Sequence, residues 1–183
     1  TQRQGGTIDS SSRLEICQLS ALAEDHFGSD IRNVSLTVPG GRIVGIAGVS
    51  GNGQAELFRL LSGEKTDSEP DSVRINDVGV SQLNANGRRQ RGLACIPEER
   101  LGRGAASGFS LRDNLFLTHH GRNLVRYGFI KHKETDERST QVINRFSVQC
   151  EGPRAAAQSL SGGNLQRFIV GREIELNPTV LIA

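Results

Sequence analysis

Apolar and polar residues alternate along positions 14–19 and again along 31–38 (IRNVSLTV), the two-residue period of half-buried strands. A polar loop containing His26, Phe27 and Gly28 separates them, and Pro39, Gly40 and Gly41 mark the turn that follows. Residues 42–47 (RIVGIA) form a short β-rich run that predicts a strand leading into a glycine-dense stretch at 48–53. Beyond it Leu57, Leu60 and Leu61 recur at helical spacing, with Gly63 placed as a C-cap. The local order is strand, glycine loop, helix. Residues 72–78 and 92–96 (GLACI) read as further strands, and 179–183 (TVLIA) as a fully buried one after Pro178 has ended a helix. Between Glu98 and Arg154 the pattern turns mostly helical. Ser110 and Asp113 form a capping pair ahead of residues 115–118, and Val142, Ile143 and Phe146 share a helix face within 133–148.

The pattern predicts an α/β domain, with an antiparallel β part at its N-terminus, a mixed or parallel sheet at its core and a helical insertion. It divides into a polar linker at 1–12, expected to be disordered, a β-rich core with the glycine loop at 13–97, a helical insertion at 98–158, and a last helix and strand at 159–183. The composition agrees with one folded domain: 183 residues, 36% hydrophobic, and 22 Lys+Arg against 20 Asp+Glu for a net charge of +2. The cluster Arg88, Arg89 and Arg91 reads as a solvated helix end. The longest apolar stretches, 43–49 and 180–183, fall far short of the roughly 18 to 20 residues that cross a bilayer, so no membrane span is expected. Cys17, Cys95 and Cys150 are odd in number and contain no CxxC, which points to neither a disulfide framework nor a zinc site but to reduced thiols in a cytosolic protein. The chain begins at Thr1 with no signal peptide and stops on an apolar run, which reads as an internal piece of a longer protein.

Gly48, Val49, Ser50, Gly51, Asn52 and Gly53 have the glycine spacing of a phosphate-binding loop. In such a loop, backbone N–H groups and a helix N-terminus enclose an anion. The two positions that follow differ from a working loop. Lys, which reaches the β- and γ-phosphates, is replaced by Gln54, and the Mg²⁺-binding Ser or Thr by Ala55. An amide for an ammonium removes a unit charge, and a methyl for a hydroxyl removes a metal ligand. Binding through the backbone is expected to weaken, and stabilisation of developing charge to suffer more, giving a nucleotide site degenerate for catalysis. A glycine turn made only for tight packing is the alternative. The dinucleotide pattern G-x-G-x-x-G fails, because Glu56 stands where its third glycine should be.

Residues 160–167 (LSGGNLQR) closely resemble the signature motif of ATP-binding-cassette (ABC) ATPases. Physically this is a second helix N-terminus, with Ser161 as N-cap, Gly162 and Gly163 leaving backbone amides open, Asn164 beside them, and Leu165, Phe168 and Ile169 as anchors. The order of glycine loop, helical insertion, signature, Pro178 and buried strand also resembles an ABC cassette across nearly all of residues 14–183. Within that family the runs 45–57 (GIAGVSGNGQAEL), 96–105 (IPEERLGRGA) and 160–167 are most similar to the second ATPase half of tandem-cassette importers for simple sugars or nucleosides.

The resemblance implies a P-loop NTPase fold with ATP and Mg²⁺ as cofactors. Gly48 to Ala55 would then form the phosphate loop, and Glu98 would replace the Gln that links Mg²⁺, attacking water and the transmembrane partner. Phe27 is the candidate for stacking on adenine, or is simply a half-buried loop residue. Residues 179–183 would be the apolar part of the Walker B strand, with the metal-binding Asp, the catalytic Glu and the switch His beyond the last residue. None of His26, His119, His120 and His132 is identified as a replacement for that histidine. The implied partners are a second cassette, in the same parent chain, and transmembrane permease subunits, which places the domain peripherally on the cytoplasmic membrane face with no nucleic acid bound. Ser161, Gly162, Gly163 and Asn164 would act on ATP held by the partner cassette. The alternatives are a soluble non-transport ABC ATPase, expected to be more basic, and a nucleotide-sensing module without turnover. The GNGQ run favours nucleosides slightly over sugars as cargo, on resemblance alone.

Overall fold

The computed structural model describes residues 12–23, 28–67 and 69–183. His26, Phe27 and residues 1–11 of the expected linker lie outside the described residues. Two compact units emerge, one ending at Leu93 and including Ile182, the other covering Ala94–Leu181 with Ala183.

In the first unit, strands β1 (Ser12–Ala21) and β2 (Ile31–Pro39) pair antiparallel, Leu14 opposite Val38 and Ile16 opposite Leu36. Leu14, Ile16 and Leu19 are all buried, although strict alternation would turn Leu19 outward. The register shifts between Ile16 and Leu19, and Gln18 takes φ 48° there, so one extra residue restores Leu19 to the core face. β3 (Val73–Ile75) adds to the other edge of β1, and β4 (Val78–Gly79) completes the order β2-β1-β3-β4. The run expected as one strand at 72–78 is therefore a hairpin. Asn76 and Asp77 both have positive φ, and short polar side chains tolerate the left-handed region of such a two-residue turn.

Helix α1 (Gln54–Ser62) buries Leu57, Leu60 and Leu61 and stops at Gly63, φ 82°, as the sequence predicts. A Cβ at Gly63 would lie 2.8 Å from the backbone at Asn84 and Ala85, where α2 (Ala85–Gln90) begins. Two further expectations fail in this unit. Residues 42–47 form no strand, and Ile43 is 100% exposed. β-branched residues favour a strand through ladder and packing partners, and among the described residues no strand pairs with this run. The arginine cluster is a solvated helix end only in part: Arg91 is exposed and Arg89 half-buried, but Arg88 is 0% exposed. Its guanidinium donates to the carbonyls of Leu60, Leu61 (3.0 Å), Ser81 (2.7 Å) and Leu83 (2.9 Å). The last turn of α1 leaves orphan carbonyls, and a rigid fork of donors satisfies two of them from the side.

In the second unit, three helices share one core: α3 (Leu111–His119), α4 (His132–Arg145) and α5 (Gly162–Glu175). Leu111, Leu115, Val142, Ile143, Leu165, Phe168 and Ile169 belong to that core, so the helical insertion and the signature helix are packed as one body. Ser110 caps α3 as expected, accepting from the Asp113 amide at 3.1 Å and donating to its carboxylate at 2.7 Å. Burial pushes the Asp113 carboxyl up, but the bonds from Ser110 and Arg112 outweigh it and hold the group below its usual range. Gly171 lets α4 and α5 approach, since a Cβ there would fall 2.6 Å from the Phe146 ring.

The stretch expected to be mostly helical also contains a hairpin, β6 (Val125–Arg126) with β7 (Phe129–Ile130). β5 (Leu93–Cys95) and β8 (Val180–Ile182) pair as a two-stranded sheet. β8 was expected to be fully buried, yet only Val180 is, and Leu181 is 42% exposed. Among the described residues no helix is long and apolar enough to cross a membrane. Cys17, Cys95 and Cys150 are not joined by disulfides.

Candidate functional site

The glycine loop ends where α1 begins. Gly51 and Gly53 have φ of 89° and 93°, a region that suits glycine and lets the backbone turn into the helix. Gly53 is the N-cap and offers no side chain, so the first-turn amides of α1 have no capping group of their own. The loop holds its shape through backbone and neighbours: Asn52 N–H donates to Val49 O at 3.2 Å, and Ser29 Oγ donates to Gly51 O at 2.7 Å. The Ser29 amide also donates to Glu56 Oε1 at 3.3 Å. A Cβ at Gly53 would press on Ile31 at 3.0 Å, which ties the helix start to β2.

Gln54 does not extend outward as a phosphate-reaching lysine would. Its amide turns back into the loop, Nε2 donating to Val49 O at 3.0 Å, and occupies the space a Cβ at Gly48 would need. Ala55 carries no side-chain oxygen. Gly48, Val49, Ser50, Gly51, Asn52 and Ala55 are all exposed, and nothing lies within 4 Å of a Cβ built at Gly51. The loop therefore suits an anion through backbone N–H groups, while its donor set lacks both the ammonium and the hydroxyl.

The second helix start, at α5, is built on a firmer base. Ser161 Oγ accepts from Asn164 N at 3.4 Å and from Asn164 Nδ2 at 3.1 Å, while Asn164 Oδ1 accepts from the Gln149 amide at 3.0 Å. Ser161, Gly162 and Gly163 are exposed, whereas Leu165, Phe168 and Ile169 one turn later are buried. An exposed polar tip on a buried apolar shaft fixes the amides in place before any ligand arrives, and the N-terminal end of the helix dipole favours negative charge.

Glu98 sits on the loop after β5 and is exposed. That loop folds on itself, Gly104 N donating to Glu99 O at 2.9 Å and Ala105 N to Arg100 O at 2.7 Å. Two arginines missed as candidates from the sequence tie it to α5. Arg100 Nε donates to Gln166 Oε1 at 3.0 Å, and buried Arg172 donates to Gly104 O at 2.8 Å while paired with buried Glu173 at 2.9 Å. Gly104 is needed there, since a Cβ would meet Arg100 O at 2.8 Å and Ile169 at 3.0 Å. Arg100 lay inside a run already singled out, but no spacing rule pointed from it to Gln166. Phe27 lies outside the described residues. Among the described residues no group of three or more His, Cys, Asp and Glu could hold a metal.

Each of the two units thus presents one exposed, glycine-rich helix start. The ABC transporter family model matches residues 31–183, and the chain belongs to that family. Its relatives include the nucleoside import ATP-binding protein NupA of Lactococcus lactis, 32% identical over 171 residues, with 92% of this chain and 33% of the relative aligned. The guanosine import ATP-binding protein NupO of Bacillus subtilis is 35% identical over 155 residues, 84% of this chain and 30% of the relative. The ribose import ATP-binding protein RbsA of Halalkalibacterium halodurans is 30% identical over 171 residues, 93% and 32%. The chain thus spans about a third of the length of these curated relatives. Among solved structures, an ATP-binding cassette of an ABC transporter superposes with TM-score 0.70 at 16% identity, covering 93% of this chain and 68% of its own. A dimeric post-hydrolysis cassette bound to ADP and Pi gives TM-score 0.69 at 18% identity, covering 92% and 72%. The fold expected from the sequence is therefore the one found.

Proposed function

We propose that this chain is part of an ATPase that couples ATP binding and hydrolysis to import of a small solute, a nucleoside or a sugar, and that it works with permease subunits at the cytoplasmic face of the membrane. The relatives named for nucleoside, guanosine and ribose import support the cargo class. The observation that carries the reading is the contrast between the two helix starts. The α5 tip is exposed and fixed on the core, while at α1 the Gln54 amide is folded into its own loop and Ala55 has no oxygen.

In this reading a second cassette, in the same parent chain, closes against this one. Ser161 keeps its hydroxyl proton to donate, and with the backbone amides of Gly162 and Gly163 and the second Nδ2 hydrogen of Asn164 it stabilises charge on a phosphate held by that partner's loop. The glycine loop of this chain, Gly48 to Ala55, binds a second nucleotide through backbone N–H groups and turns it over poorly. Bound Mg²⁺ would supply charge neutralisation at the phosphates; here its customary hydroxyl ligand is missing at Ala55. Glu98, exposed on a loop fastened to the signature helix, would report on a neighbouring subunit. Gln54 and Ala55 also favour a second reading, a nucleotide sensor without turnover. Uptake of radiolabelled nucleoside or ribose by proteoliposomes holding the parent protein and its permease separates the two: the import reading predicts ATP-dependent accumulation of one of them, and the sensor reading predicts none.

A further inference from the structure

The β6–β7 hairpin carries a surface that neither the fold nor the nucleotide site explains. Its two turn residues, Tyr127 (φ 51°) and Gly128 (φ 82°), both take the left-handed conformation that matches a tight hairpin. Nothing lies within 4 Å of a Cβ built at Gly128, so the tip projects clear of the second unit. Tyr127 is 86% exposed and Phe129 79%, and Val125 and Ile130 are exposed as well. The root is rigid, because Leu124 is buried in the helical core and its carbonyl accepts from the Lys131 amide at 2.9 Å. A left-handed tyrosine costs conformational energy, and here it drives an aromatic ring into solvent.

The run through the hairpin is basic in sequence, although Lys131 lies 4.0 Å from the Glu134 carboxylate at its root and Arg122 donates to Leu176 O at 2.6 Å, which leaves Arg126 and Lys133 as its exposed cations. Between Asp113 and Glu134 the chain carries Arg122, Arg126, Lys131 and Lys133 and no Asp or Glu. The Arg126 guanidinium lies 5.2 Å from the centre of the Tyr127 ring. Val125 pairs with Ile130, and Arg126 with Phe129, so these two pairs occupy opposite faces of the hairpin. Apolar groups are thus exposed on both faces. A groove on a protein covers one face, whereas a medium that surrounds the tip covers both. An aromatic tip beside exposed cations is what the interface of an anionic bilayer accepts, with Tyr at headgroup depth and basic side chains near the phosphates.

We propose that the β6–β7 hairpin is an interfacial anchor, inserting Tyr127 and Phe129 among the headgroups of an anionic lipid surface with Arg126 and Lys133 on the phosphates. This rests on the membrane-associated reading above. Two-residue strands are too short to span, so the anchor is peripheral and adds to whatever holds the protein at its permease.

The test is co-sedimentation of the full parent protein, without permease, with phosphatidylcholine vesicles that do or do not contain phosphatidylglycerol. Binding is expected to the anionic vesicles, to fall as salt rises, and to drop roughly ten-fold or more in R126S/K133S. Y127S/F129S, whose side chains are mostly in solvent, is expected to lose binding comparably with an unchanged thermal midpoint. No binding to anionic vesicles, or binding that both double variants retain, overturns the proposal. Normal vesicle binding in Y127S/F129S with lost uptake in the permease complex also overturns it and assigns the hairpin to a protein partner. ATP turnover measured in detergent is a separate readout: its absence beside intact vesicle binding would remove the import reading and leave the anchor standing.

Discussion

Arg100 donates its Nε hydrogen to Gln166 Oε1 across 3.0 Å, and a guanidinium nitrogen of the same side chain would stand 3.0 Å from a Cβ at Gly162. One exposed side chain thus spans from the Glu98 loop to the first turns of the signature helix. A surface hydrogen bond of this kind contributes about 1 kcal/mol or less to stability. Its larger effect is expected on geometry, because small misplacements of charge-stabilising groups are costly to turnover. Arg100→Ala in the parent protein is expected to leave the unfolding midpoint almost unchanged and to lower kcat by about ten-fold. Steady-state ATPase assays beside thermal melts check this, and a loss in proportion to stability would refute it.

Arg88 closes the end of α1 from inside the first unit. Arg88→Leu removes the guanidinium that donates to the carbonyls of Leu60, Leu61 and Leu83 and leaves Ser81 O with the Asp67 amide at 3.2 Å, and is expected to cost on the order of 3 kcal/mol. Urea denaturation of the variant beside the parent measures the loss.

The α4–α5 crossing tolerates no side chain at Gly171. Gly171→Ala gains helix propensity of about 1 kcal/mol, yet the new methyl would overlap Phe146 and cost roughly 1 to 3 kcal/mol by overpacking. Net destabilisation is expected, and the double change Gly171→Ala with Phe146→Leu is expected to recover part of it. Melting temperatures of the two variants beside the parent decide it.

His119 is fully buried at the end of α3, with Nε2 2.7 Å from Glu175 Oε2 and Nδ1 3.0 Å from Thr118 Oγ1. Burial lowers its pKa, against the opposing pull of Glu175. The folded protein then takes up the proton less readily than the unfolded chain. Stability present at neutral pH is lost as pH falls below the ordinary value of about 6.5. Urea midpoints are expected to decline between neutral and mildly acidic pH, with a flatter profile in His119→Gln.

The signature helix was fully legible in the sequence: Ser161 caps it, Gly162 and Gly163 are exposed, and Leu165, Phe168 and Ile169 are buried, because capping and helical periodicity are local. The α1 end at Gly63 and the Ser110–Asp113 cap were legible for the same reason. Arg88 was misjudged since charge in a helix predicts solvent unless orphan carbonyls from another helix converge on it, and that convergence is tertiary. Residues 42–47 were misjudged because β-branched composition states a preference while a ladder partner decides the strand. The Tyr127-Gly128 turn was missed, as strands of two residues leave no alternation to detect. At the loop, the identities of Gln54 and Ala55 were plain, but that Gln54 folds back on Val49 O required the three-dimensional path of the chain.

In the proposed asymmetry the signature tip of this chain carries hydrolysis at the partner's nucleotide and its own glycine loop turns nucleotide over poorly. The most direct measurement is steady-state ATPase activity of the parent protein carrying Ser161→Arg or Gln54→Ala. Ser161→Arg fills the exposed helix tip with a bulky cation and removes the hydroxyl, and is expected to lower kcat on the order of a hundredfold or more. Gln54→Ala removes only an amide bonded within its own loop and is expected to leave kcat nearly unchanged. Equal losses in the two variants, or no loss in either, would contradict the account.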